Sequence, residues 1–73
     1  MTKGVLILRT LIEKNRLEEI CNSLKIGYEH CLSIANEQNS PSLNTMKKLR
    51  FLIPLEFWID EANNEFIKKI ESI

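Results

Sequence analysis

Glycine and proline are scarce in this chain of 73 residues, with two of each. So few interruptions leave little room for a turn-rich architecture and predict a mostly helical protein. Cysteine is equally scarce. Cys21 and Cys31 lack metal-ligand spacing and have no second pair, so no zinc site is expected, and both read as reduced thiols filling a core rather than as nucleophiles. Charge of one sign is missing as well: ten basic residues balance ten acidic ones, for a formal net charge of zero. A case for nucleic acid must therefore come from local placement of charge. No apolar run approaches the roughly 18 residues of a membrane span. The longest near the start, Val5 to Leu8, is interrupted by Arg9 with no small-residue cleavage site after it. A cytoplasmic protein with neither signal peptide nor membrane contact is the expectation. The single histidine, His30, has no catalytic partner in a plausible pattern, so neither an enzyme nor a cofactor is expected.

What is present is apolar material, 44% of the chain, enough for one core and one domain over 1–73. Val5, Leu8, Leu11 and Ile12 recur at helical spacing and predict a first helix from 2 or 3 to 14. Asn15 with Glu18 forms a weak capping box that closes this helix and opens the second, 17–24, which buries Leu17, Ile20, Cys21 and Leu24. Ile26 and Gly27 make a turn. A third helix over 28–37 then points Cys31, Ile34 and Ala35 inward and Tyr28, Glu29, Leu32, Ser33 and Asn36 outward. After a polar loop, a fourth helix starting at 40–42 buries Leu43, Met46, Leu49 and Ile53 and is stopped by Pro54.

A fifth helix is expected from 55 or 56 almost to 73, because Ile59, Ala62, Phe66, Ile70 and Ile73 hold a period of three and four with Trp58 and Ile67 alongside. That stripe is longer than one small core requires. The spacing therefore predicts 60–73 to be a dimerisation extension, with Phe66, Ile67, Ile70 and Ile73 in a homodimer interface.

Residues 24–41 compress a helix end, a Gly-centred turn, a second short helix and a polar loop into the layout of a helix-turn-helix. The pattern resembles the phage-repressor and Cro family, the XRE-type regulators, over about residues 8–59. Leu24, Ile26, Cys31, Ile34 and Pro41-Ser42-Leu43 occupy the family's places without a gap. Cys21 stands where the family keeps a small residue, and Ile53-Pro54-Leu55-Glu56-Phe57 is similar to its connection into the closing helix. The resemblance implies an all-α, compact, five-helix lambda-repressor-like domain whose C-terminal helix is extended here. By function it implies a sequence-specific transcriptional regulator, a repressor-like dimer that lays helix 28–37 in the major groove of duplex DNA. The chain departs from the family where DNA contacts are expected. It opens helix 2 with Asn15-Arg16-Leu17, has no Lys or Arg from Ile26 to Met46, carries Glu29 and Glu37, and has a fourth helix about two residues short of the common pattern.

Within that reading Arg16, Lys25, Lys47, Lys48 and Arg50 are candidates to grip phosphates. Ser33, Asn36, Gln38 and Asn39 are candidates for base or backbone hydrogen bonds, Tyr28 for a sugar or phosphate, and Glu29 for a cytosine amino group. Each has a plainer reading as solvated charge or polar loop. The alternative function is a helix-turn-helix turned protein–protein interaction module, holding another regulator through Tyr28, Glu29 and Leu32.

Overall fold

The computed structural model of the chain describes residues 1–72. It contains five α-helices, α1 (Lys3–Glu13), α2 (Leu17–Leu24), α3 (Tyr28–Ala35), α4 (Leu43–Lys48) and α5 (Asn64–Glu71), with a 3₁₀ turn at Leu55–Trp58. Its radius of gyration of 11.3 Å matches the roughly 11 Å expected for one globular unit of this length. Among the described residues no helix is long and apolar enough to cross a membrane.

Local chemistry sets most of the boundaries. Thr2, Ser42 and Asn63 precede α1, α4 and α5 in extended backbone, and each side-chain oxygen accepts from an amide three residues on: Val5, Thr45 and Phe66. These bonds satisfy donors that a helix start otherwise leaves unpaired. The first three helices end alike. One residue beyond the last turn adopts left-handed backbone, at Asn15 (φ 56°), Lys25 (φ 58°) and Glu37 (φ 61°). The following amide then donates five residues back, Arg16 to Leu11 at 2.9 Å, Ile26 to Cys21 at 3.0 Å and Gln38 to Ser33 at 2.9 Å. This is the Schellman closure. Asn15 therefore ends α1 but does not cap α2, which follows Arg16 with no side-chain cap. Left-handed Glu37 likewise ends α3 at Ala35, two residues before the expected end.

Leu8, Leu17, Cys21, Cys31, Ile34, Leu49 and Ile53 are fully buried and form one core with Val5, Ile26, Ala35 and Trp58. Helix α4 stops at Lys48, well before Pro54, and turns over 49–53 carry Leu49 and Ile53 inward while leaving Phe51 70% exposed. Leu43, expected inside, is 61% exposed. Thr45 is the buried residue of α4, its hydroxyl 3.1 Å from Ser42 Oγ and 3.4 Å from His30 Nε2.

The C-terminal segment is not one extended helix. After the 3₁₀ turn the chain straightens and pairs with the N-terminus: Lys3 donates to the Asp60 carbonyl at 2.8 Å, Ala62 to the Met1 carbonyl at 3.1 Å, and the Met1 ammonium reaches Glu61 at 2.9 Å. Ile59, inward by periodicity, is 81% exposed. Asn63 then starts α5, which returns against α1. Lys3 Nζ joins the two ends, 5.3 Å from the Phe57 ring centroid and 5.2 Å from that of Phe66.

Candidate functional site

Helices α2 and α3, joined by the turn 25–27, meet where Cys21 Sγ–H donates to Cys31 Sγ at 3.1 Å. Small side chains allow that approach, and Ile26 points inward from the turn into the core. Burial, reinforced by the bond to Cys21, pushes the Cys31 thiol up to about 12. Its thiolate is scarce near neutrality, which suits a core residue and not a nucleophile.

On the outward side of α3, Glu29 and His30 are exposed, while Tyr28, Leu32 and Ser33 are half-buried. Tyr28 packs against the core instead of standing free. The Ser33 hydroxyl already donates to the Glu29 carbonyl, one turn back, at 3.1 Å. Asn36, Gln38 and Asn39 follow on the helix end and loop, all exposed, and their side chains make no hydrogen bond among the described residues. Lys25 lies in the turn before α3, and Lys47 and Lys48 in the last turn of α4, each exposed. Arg16 is exposed too, but it lines a groove with Glu19, Ile20, Ser23 and Phe51 rather than the surface of α3.

Two positioning residues escape a reading of local sequence. Arg9 on α1 donates its Nε–H to the Ala35 carbonyl at 2.7 Å, fixing the end of α3. The partners are 26 residues apart and no local motif announces the bond. His30 reaches Thr45 and, through it, the cap of α4, so the start of the fourth helix is referenced to the exposed face of the third.

The surface so formed is polar and carries little charge. From Ile26 to Met46 its ionic groups are Glu29 and Glu37, with no Lys or Arg. Among the described residues Met1, Leu43, Phe51, Leu55, Ile59 and Ile67 are the large apolar side chains left exposed, and none is on α3.

The expected dimer residues divide. Ile70 is 5% exposed because α1 covers it, so it is not part of an uncovered stripe. Phe66 is half-buried, edge-to-face with Phe57 at 5.4 Å, and Ile67 is 36% exposed. Ile73 lies outside the described residues. No group of side chains suited to a metal ion occurs among the described residues. Compared with protein-family models, with curated proteins and with solved structures, the chain matches none.

Proposed function

We propose that the protein is a sequence-specific DNA-binding regulator that acts as a dimer, with α3 and the loop after it addressed to the major groove. The observation that carries this reading is the character of the α3 surface. Asn36 and Gln38 are exposed with side-chain amides that make no hydrogen bond among the described residues, Asn39 lies beside a groove it shares with Thr2, Val5 and Trp58, and Tyr28 is packed against the core. Protein-docking helices rely on projecting aromatic or aliphatic anchors, and on this one Tyr28 and Leu32 are only half-exposed. Side-chain amides, by contrast, match the paired donor and acceptor of adenine in the major groove.

In this reading Asn36 and Gln38 discriminate bases, Asn39 and Ser33 approach the backbone, Glu29 accepts from a cytosine amino group, and Lys25, Lys47 and Lys48 hold phosphates. Two copies would read half-sites about 34 Å apart. One observation favours the second reading, a protein-binding helix-turn-helix: the absence of cations between Ile26 and Met46.

Selection of a preferred duplex, followed by polarisation titrations, separates the two. Asn36→Ala should relax preference at one base position, and Lys48→Ala should weaken every sequence alike. If Tyr28→Ala and Leu32→Ala abolish a protein complex while Lys47→Ala and Lys48→Ala are silent, the second reading replaces the first.

A further inference from the structure

Phe51 stands on the turn after α4 with 70% of its surface exposed. Beside it are two adjoining surface grooves. The first, about 260 Å³, has Phe51 on its rim together with Arg16, Glu19 and Ile20. The second, about 160 Å³, shares Arg16 and Ile20 with the first and is walled by Ile7, Leu11, Leu52 and Ile70, with Thr10 and Lys14 beside them. A cavity of about 150 Å³ lined by aliphatic side chains accommodates a benzene ring, so the second groove suits one benzyl side chain. Arg16 and Glu19 are both exposed, and neither makes a salt bridge among the described residues.

We infer that this face docks a second copy of the chain, with the Phe51 ring of each copy in the other's groove. The occupant follows from self-complementarity. A two-fold interface presents the same patch twice, so it must carry both halves of every contact. This patch has the aromatic knob and the mostly apolar hole side by side with the cations Lys14 and Arg16 and the anion Glu19, and the proposed two-fold axis brings Arg16 of one copy to Glu19 of the other. Zero net charge on the chain adds no repulsion between copies. Arg16 is thereby moved from the phosphate-binding set to the dimer contact. The proposal goes beyond the DNA-binding reading and does not depend on it, because self-association is read without DNA.

Sedimentation of the full chain up to about 1 mM should show a dimer. Phe51→Glu changes an exposed residue and should leave helical content unchanged, and the melting temperature too at concentrations where both proteins are monomeric, yet raise the dimer dissociation constant about 30-fold or more, as loss of an interface anchor does. Arg16→Glu and Glu19→Arg should each weaken the dimer, and the two together should restore it. The inference is overturned by a wild-type chain that stays monomeric over the whole range. It is equally overturned by a dimer that survives Phe51→Glu but is broken by Ile67→Glu, or by a double reversal no better than its singles.

Discussion

Gly4 lies inside α1, where alanine would ordinarily favour the helix by about 1 kcal/mol. A Cβ at this position would sit 2.6 Å from Trp58 Cε3 and 2.9 Å from Cζ3, well inside van der Waals contact. Overpacking therefore outweighs propensity, and Gly4→Ala should lower stability by about 1 to 3 kcal/mol in urea unfolding. The same indole has a buried Nε1 with no hydrogen-bond partner among the described residues. Trp58→Phe removes that uncompensated donor along with some packing, so it should cost far less than Trp58→Ala, for which about 3 to 5 kcal/mol is expected. It should also suppress the Gly4→Ala penalty, a coupling that a double-mutant cycle measures directly. Cys31 makes a second residue-level prediction, about pH. Its folded-state thiol is raised to about 12 from an ordinary 9.0, so the unfolded chain gives up that proton first. The contribution to stability is complete below pH 9 and declines as pH climbs from there toward 12. Urea midpoints measured under reductant should fall over that window, and Cys31→Ala should flatten the fall.

At the scale of elements, three helices close on left-handed residues that are not glycine. That conformation costs an L-residue with a Cβ roughly 1 to 2 kcal/mol, partly offset by the unfolded-state freedom that glycine brings. Lys25→Gly and Glu37→Gly should thus each stabilise the fold by about 0.5 to 1 kcal/mol, while Asn15→Gly should do less because asparagine tolerates the region. Thermal unfolding of the three variants checks the order; a loss at Lys25 or Glu37 would mean that these turns are not what closes the helices. The first three helices were legible to within two residues because apolar spacing at three and four coincides there with the inward face, although Leu11, Ile12, Ile20 and Leu24, expected inside, are only half-buried. The C-terminal break was not. Ile59, Ala62, Phe66 and Ile70 keep helical period across it, and what divides them is the pairing of 60–62 with the N-terminal residues, a contact between the two ends of the chain. Asn63-Asn64 was the available local sign. In α4 Thr45 is buried in place of Leu43, and its hydroxyl lies 3.4 Å from His30, a contact across to α3 that no spacing rule describes. The polar composition of the candidate site was readable residue by residue, whereas the packing of Tyr28 and the displacement of Arg16 to another face are set by tertiary contacts.

For the whole molecule the decisive feature is the α2–α3 pair, where the exposed face of α3 and its following loop offers amides but no cations. Affinity for duplex DNA rests mainly on neutralised phosphates, and Lys25, Lys47 and Lys48 are the cations closest in sequence to that face. A dimer with two or three phosphate contacts per subunit should therefore show a shallow salt response, with a log–log slope on the order of −4 to −5. Sequence discrimination, by contrast, should survive at moderate salt, since it depends on neutral hydrogen-bonding groups. The most direct test is fluorescence polarisation of the full chain on duplex DNA at low ionic strength, followed by a salt titration. The DNA-binding account predicts saturable binding with that shallow slope; a folded chain that shows no duplex binding at the lowest salt would contradict it.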